Sequence, residues 1–327
     1  MLRIAVIGAG RIGRIHARNI AAHPRAQLAG ISDPDTAAAE GLAQACNSVV
    51  IPLDAAFAAG AVLIGSPTPT HADFIERAAA AGTPVFCEKP VDLSAARVRD
   101  CLAAVERAGV PLMVGFNRRF DPSFAALQRR LAAGEIGALE LLSITSRDPA
   151  PPPASYVAQS GGLFRDMMIH DLDMARFLLA EEPVELFAAG SALVDPAIGA
   201  AGDVDTAVVT LKTASGRLCQ ISNSRRATYG YDQRIEAHGS EGLLRAGNRT
   251  ATTVESAGAR GFTTEPALPF FLERYEAAYR AELDAFIGSV LDGAPVQATG
   301  QDGLRALLLA DAATESARTG RAVQLES

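Results

Sequence analysis

Six residues near the start of the chain constrain its fold more than any other stretch. The apolar run Leu2–Ile7 leads directly into Gly8-Ala9-Gly10-Arg11-Ile12-Gly13, and sequence of helical composition follows over Arg11–Ala22. A strand that ends in G-x-G-x-x-G and opens a helix is the context that gives this spacing meaning. Gly8 permits a tight turn, Gly10 lets the backbone approach a pyrophosphate, and Gly13 allows close helix–strand packing. The helix N-terminus, with Arg11 and Ile12 at its first positions, attracts the anion. The expectation is a dinucleotide site on Gly8, Gly10, Arg11, Ile12 and Gly13.

The same alternation continues downstream. Gln27–Ser32, Val62–Gly65, Val85–Cys87 and Leu112–Gly115 read as buried parallel strands, with helices over His71–Ala81 and Ser94–Ala108. Strand–helix alternation of this kind implies a doubly wound α/β domain, here an N-terminal Rossmann sheet over residues 1–119. Beyond Asp121-Pro122 the pattern changes. One helix, Ser123–Ala133, precedes strands at Leu139–Ser146, Val184–Val194, Val204–Thr213, Arg217–Asn223, Gln233–His238 and Gly242–Ala246, with Ala214-Ser215-Gly216 as a hairpin turn. These read as antiparallel. Helices are expected at Gly162–Ala180, Phe270–Leu291 and Gly303–Thr319. Residues 120–327 are therefore expected to form an α+β domain around one large, mainly antiparallel sheet. A length of 327 residues, 49% of them hydrophobic, suits two cores.

A net charge of −7 with no Lys/Arg-rich run argues against nucleic acid and anionic membrane surfaces as partners. Cys46, Cys87, Cys101 and Cys219 lack metal-ligand spacing and read as free thiols, so no metal is expected. No apolar run reaches transmembrane length, and the first residues read as a strand, not a signal peptide. A cytoplasmic location is the resulting expectation.

Asp33 ends the second strand, twenty residues after Gly13. A carboxylate there binds a ribose 2′-hydroxyl and repels a 2′-phosphate, and no cation follows in Ser32-Asp33-Pro34-Asp35, which favours NAD over NADP. Asp35 competes for the role. The loop Gly65-Ser66-Pro67-Thr68-Pro69-Thr70-His71 falls at the sheet's carboxyl edge, which makes Ser66 and Thr68 cofactor candidates. Thr70 is a helix cap by type, and His71 is either a first-turn residue or a cofactor neighbour. Cys87-Glu88-Lys89-Pro90 ends another strand at the same edge, adding Glu88 and Lys89 to the candidate cofactor set. Lys89 could also donate to a substrate oxygen and offset the charge that develops as a hydroxyl loses its proton; a surface lysine near a proline turn is the plainer reading.

Asp166, His170 and Asp173 are spaced i, i+4, i+7 within a stretch carrying Met167, Ile169, Met174 and Phe177. On one helix they would share a face. An imidazole, with a reference pKa of about 6.5, suits proton transfer near neutrality, and Asp166 could orient it. A structural histidine between carboxylates is the alternative. Transfer of a hydride to nicotinamide requires little more from the protein than a proton acceptor and a held carbon.

These motifs together resemble the glucose-fructose oxidoreductase/inositol dehydrogenase superfamily, whose members pair a Rossmann domain with an E-K-P motif and a D-x-x-x-H helix. Here those are Glu88-Lys89-Pro90 and Asp166…His170. The resemblance extends through Phe116–Asp121, Asn223–Arg234, Phe271–Tyr275 and Tyr279, covers essentially the whole chain, and is closest to the bacterial inositol dehydrogenases. It implies Lys89, Asp166 and His170 as catalytic residues. It also implies Asp173, Asn117, Arg118, Tyr229, Tyr231 and Tyr279 around a cyclic polyol, where carboxylates and phenols match a ring of hydroxyls. Some members carry His-x-Asn where this chain has Ser146-Arg147-Asp148 and then prolines; Asp148 could contact substrate there. The implied reaction is NAD-dependent oxidation of the 2-hydroxyl of myo-inositol, by a homotetramer. Another inositol isomer or a hexose is the alternative substrate, and a non-catalytic nucleotide-binding regulator is the alternative class.

Overall fold

The structure is a computed structural model that describes residues 1–325. The elements run β1 (Leu2–Ile7), α1 (Arg11–Ala22), β2 (Ala26–Ser32), α2 (Thr36–Ala45), α3 (Leu53–Ala56), β3 (Ala61–Ile64), α4 (His71–Ala80), β4 (Val85–Cys87), α5 (Ala95–Ala108) and β5 (Leu112–Val114). There follow α6 (Pro122–Ala132), β6 (Leu139–Arg147), α7 (Ala154–Ser160), α8 (Gly162–Asp166), α9 (Ile169–Leu179), β7 (Pro183–Ser191), α10 (Pro196–Ala200), β8 (Thr206–Thr213), β9 (Leu218–Ser224), β10 (Asp232–Gly239) and β11 (Gly242–Ala246). The chain closes with β12 (Glu255–Gly258), β13 (Gly261–Thr264), α11 (Phe271–Arg274), α12 (Glu276–Leu291), α13 (Gly300–Thr319) and β14 (Val323–Gln324).

By packing, the chain forms two units: residues 1–120 with Ala278–Leu307, and residues 121–277 with the remainder from Leu308. In the first, five parallel strands lie in the order β2-β1-β3-β4-β5. The strands are apolar on both faces because helices cover both; all four residues of β3 and all three of β4 are buried. The strand order reverses between β1 and β3, so the loops after these strands diverge and leave a crevice at their carboxyl ends. The return segment is fixed to this unit by backbone and charge. Val114 N–H donates to Ala298 O at 2.8 Å, and Arg119 reaches Asp302 at 3.0 Å and Gln297 O at 2.8 Å.

In the second unit a seven-stranded sheet runs β11-β10-β6-β9-β8-β7-β14. It is mainly antiparallel, as expected, but β6 and β9 pair in parallel, Ile144 opposite Ile221. The two strands look antiparallel in sequence because side-chain alternation carries no direction. Its strands alternate, as in β8, where Ala207, Val209, Leu211 and Thr213 are buried and the residues between them are not. A buried ion pair between Arg274 and Asp121 ties α11 to the start of α6, with the guanidinium 5.2 Å from the Phe124 ring centroid.

Two expected helices are broken. Gly162–Ala180 is two helices, α8 and α9, parted at Met167-Met168. There Met168 N–H donates to Leu163 O, five residues back, at 2.9 Å. This widened turn is a feature that recurs at functional sites. Phe270–Leu291 is likewise split into α11 and α12. Cys46, Cys87, Cys101 and Cys219 are all free; the last three are buried, Cys46 partly exposed.

Candidate active site

The glycine loop after β1 is shaped by contact. Gly8 has φ +106°, and a Cβ there would lie 2.6 Å from the Gly65 carbonyl; a Cβ on Gly13 would lie 1.9 Å from Gly8 O. Only hydrogen fits at either position, so the turn, α1 and the end of β3 pack backbone to backbone. Gly10 differs: a Cβ there meets nothing within 4 Å. Its missing side chain keeps a space open in front of the α1 N-terminus. A glycine that clears space for no residue of its own chain fits a cradle for a phosphate group. Arg11 and Ile12 follow in the first turn of α1.

Asp33 faces this loop. Its Oδ2 accepts the Ala9 N–H at 2.6 Å, and its Oδ1 accepts that of Asp35 at 2.8 Å. Asp35, the competitor, instead caps α2 by accepting the Ala38 N–H at 3.0 Å. Of the two, Asp33 is the carboxylate turned to the glycine loop. Thr68 opens a short 3-10 turn, Thr68–Thr70. Thr70 makes no cap to α4; its hydroxyl pairs with Ser66 Oγ at 2.7 Å and donates to Pro67 O at 2.8 Å.

The Glu88-Lys89-Pro90 segment is braced from both ends by buried histidines. His71, 1% exposed, lies 2.8 Å from Pro90 O through Nδ1 and 2.7 Å from Ser66 O through Nε2. It thus links the loops after β3 and β4. Burial depresses its pKa, against the two carbonyls that favour imidazolium. His16 on α1, fully buried, places Nε2 2.8 Å from Glu88 Oε1. Glu88 N–H donates to Ile64 O at 2.9 Å, which fixes the backbone before Lys89. Sequence reasoning missed His16; its place in the second turn of α1, inward of the glycine motif, was the available signal. Tyr279 stands edge-on to the His16 ring at 5.6 Å and is 6% exposed. Asn117 and Arg118, each 4% exposed, lie on the 3-10 turn Asn117–Phe120 beyond β5.

In the second unit, Asp166 closes α8 and His170 is the second residue of α9; both are partly buried. They are near in sequence across the widened turn, not on one continuous helix face as the spacing suggested. Asp203 fixes the start of α8 by accepting the Leu163 N–H at 3.0 Å. Asp166 receives a guanidinium N–H from Arg225 at 3.2 Å and the Tyr156 hydroxyl at 3.4 Å. Arg225, 2% exposed, also reaches Asp148 at 3.9 Å. Arg225 had no role in the sequence reading, because only the tertiary fold brings the end of β9 to α8.

Asp171, the neighbour of His170, is fully buried and accepts from Ser146 Oγ at 2.5 Å and Asn223 Nδ2 at 3.0 Å. Ser146 and Asn223 are register partners on β6 and β9. This carboxylate therefore pins α9 to the sheet and fixes the rotation at which His170 is presented. With its hydrogen given to Asp171, Ser146 Oγ also lies 3.0 Å from the side-chain amide of Gln233, whose Oε1 accepts the Tyr275 hydroxyl at 3.1 Å. Asp173 is 1% exposed, 3.7 Å from Arg176.

The two tyrosines expected to share a strand face precede β10 and part company. Tyr229 is 48% exposed, and its hydroxyl donates to Asp232 at 2.7 Å. Tyr231 is buried, with its ring 6.0 Å from that of Tyr275 and 6.5 Å from that of Phe270. Burial opposes ionisation of Asp232, but hydrogen bonds from Arg234, Tyr229 and Asn248 outweigh it and hold the carboxyl at about 2.

Residues 2–116 match the family model described as the oxidoreductase family, NAD-binding Rossmann fold (GFO/IDH/MocA), and residues 124–245 match the GFO/IDH/MocA C-terminal domain. The chain is 51% identical to an inositol 2-dehydrogenase of Rhizobium meliloti (strain 1021), over 99% of either chain. It is similar to the crystal structure of a myo-inositol dehydrogenase from Corynebacterium glutamicum, with a TM-score of 0.95 and 49% identity over 100% of this chain and 99% of that one. A scyllo-inositol dehydrogenase from Lactobacillus casei, crystallised with NAD(H) and scyllo-inositol, matches with a TM-score of 0.92 and 30% identity over 99% of either chain.

Proposed function

The chain belongs to the GFO/IDH/MocA oxidoreductase family, and on that footing we propose that it oxidises the 2-hydroxyl of myo-inositol to 2-keto-myo-inositol with NAD. The observation that carries this reading is full-length likeness, at 51% identity, to an inositol 2-dehydrogenase. Gly8, Gly10, Arg11, Ile12 and Gly13 would hold the pyrophosphate, and Asp33 the adenine ribose; Ser66, Thr68, His71, Glu88 and Lys89 form the rest of the nucleotide edge. When bound, NAD supplies the acceptor for the hydride that leaves the ring carbon.

The proton goes to the protein. His170 takes it from the 2-hydroxyl as general base, so carbon loses a hydride, oxygen loses a proton, and a ketone remains. Lys89 donates a hydrogen bond to the reacting oxygen and offsets its growing charge. Asp166, held by Arg225, orients the imidazole and balances its charge once protonated. Asn117, Arg118, Asp148, Asp173, Tyr229, Tyr231 and Tyr279 recognise the remaining hydroxyls. Residues 1–119 serve the nucleotide and residues 120–327 the substrate and assembly.

The working form is a homotetramer in the cytoplasm. Leu141, Phe187, Val208, Leu218 and Leu243 are each 41–44% exposed on the seven-stranded sheet, an apolar face suited to a second copy. Among the described residues no helix is long and apolar enough to cross a membrane. Initial rates of NADH formation with myo-, scyllo- and chiro-inositol and with hexoses, using NAD and NADP in turn, test the assignment. Highest kcat/KM with myo-inositol and NAD supports it; preference for another isomer or a hexose moves the substrate, and no turnover with tight NAD binding revives a regulator.

A further inference from the structure

Behind Lys89 lies a buried group of ionisable side chains, of which the reading above draws only on Glu88. Glu282, on α12, is fully buried, and neither carboxyl oxygen has a hydrogen-bond partner among the described residues. His16 Nδ1 is likewise unpartnered. One donor atom from each of His16, Glu88 and Glu282 lies within 4.8 Å of the others. Beside Glu282 stand His16 from α1 and Glu88 from the segment after β4, and Tyr279, one turn earlier on the helix that carries Glu282, packs edge-on against the His16 ring. In the segment after β5, Gly115 stands against this group, since a Cβ on it would come 3.0 Å from Glu88 Oε2, and the buried Arg118 and Arg119 follow on the 3-10 turn.

Two carboxylates and one imidazole cannot all be charged in such a pocket without leaving an excess negative charge in a low dielectric. A cation is one remedy, but His16 and Glu88 are 2.8 Å apart. Ligands about 2.0–2.2 Å from a tetrahedral ion stand more than about 3 Å from each other, so this pair is spaced for a shared proton. The other remedy is protonation of the carboxyl that has no partner. Burial, and then the charge on Glu88, push the Glu282 pKa well upward. An apolar side chain of the same size would fill the space at less cost, so packing does not explain a carboxyl here.

We infer that Glu282 is a positioning residue: an un-ionised carboxylic acid whose proton lets Glu88 stay paired with His16, and so keeps the Glu88-Lys89 segment set for the reaction. The inference rests on the role proposed above for Lys89. When Glu282 loses its proton, repulsion from Glu88 loosens the His16 pair and displaces the segment, so turnover falls on the alkaline side.

The test uses the whole enzyme with Glu282→Gln, which keeps shape and a donor but cannot ionise, and Glu282→Met, which keeps neither charge nor donor. Unfolding midpoints are measured without ligands from acid to alkaline pH. A raised carboxyl gives full stability below its unfolded value of about 4.5 and loses it as pH climbs towards the folded value. The wild type should therefore fall progressively behind Glu282→Gln as pH rises. In rates, Glu282→Gln should keep near-normal kcat at neutral pH and extend its alkaline limb. Glu282→Met should be at least as heat-resistant as the wild type yet several-fold slower, with NAD affinity retained. A midpoint gap that does not change with pH overturns the inference, as does a Glu282→Met enzyme with wild-type kcat and pH profile. A stoichiometric divalent ion in the wild type, lost in Glu282→Gln, also overturns it. The midpoint series needs no substrate. A growing gap in a protein that oxidises no polyol would strike the proposed function and still support the un-ionised acid.

Discussion

Arg225 Nη2 lies 3.2 Å from Asp166 Oδ2, and this pair fixes the carboxylate that ends α8 beside the turn leading to His170. The guanidinium is 2% exposed, so few waters can replace it. A hydrogen bond to a charged group contributes about 1.5–3 kcal/mol, which corresponds to roughly ten- to hundredfold in rate when it acts in the transition state. Arg225→Met should therefore lower kcat by about that factor while NAD affinity, measured by fluorescence titration, stays within about twofold. Equal loss in both would place Arg225 in general stability instead.

The glycine loop offers a matched pair of substitutions. Gly13→Ala drives a methyl into Gly8 O, whereas Gly10→Ala meets nothing of the chain. Gly13→Ala should lower the unfolding midpoint, by about 1–3 kcal/mol in stability as overpacking does. Gly10→Ala should melt like the wild type and bind NAD at least several-fold more weakly. If Gly10→Ala bound NAD normally, the cradle would lie elsewhere.

Asp33 makes a prediction about cofactor choice. Asparagine there keeps an acceptor for the Ala9 N–H but removes the charge that repels a 2′-phosphate. The ratio of kcat/KM for NADP over NAD should rise by roughly tenfold or more, since relief of about 1.4 kcal/mol is already tenfold. An unchanged ratio would take Asp33 out of ribose recognition.

Asp232 predicts a pH dependence of stability. Its folded pKa, about 2, lies below the ordinary aspartate value of 3.8. The ionised form is thus favoured by folding: its stabilisation is complete above about 4 and disappears as pH falls through about 2, amounting to roughly 2 kcal/mol. Asp232→Asn should be less stable than the wild type at neutral pH, and the gap should close between about pH 4 and 2. Denaturant midpoints across that range measure it.

The α/β half was legible because its signals are local. Leu2–Ile7, Val85–Cys87 and Arg11–Ala22 are elements whose ends are written by glycine, proline and apolar runs, and the loops at the carboxyl edge follow from strand order alone. The second half was legible in strand positions but not in pairing direction, since Leu139–Arg147 carries no mark that β9 joins it in parallel. The break at Met167-Met168 was hidden because good helix formers flank it and a backbone bond to Leu163 makes it. His16, Arg225 and Asp171 were missed for one reason: each acts on a partner far away in sequence, Glu88, Asp166 and the pair Ser146 and Asn223. Asp166, His170 and Asp173 appeared as one helix face, whereas the carboxylate that anchors α9 is Asp171, between the latter two.

The account stands most directly on the imidazole of His170 as acceptor of the hydroxyl proton. The decisive measurement is NADH formation from myo-inositol by His170→Ala, alongside NAD binding to the same protein. General-base catalysis is worth roughly 10²–10⁴ in rate, so kcat should collapse by that much while the NAD dissociation constant stays near that of the wild type. Turnover close to the wild type, or a parallel loss of NAD affinity, would contradict the account.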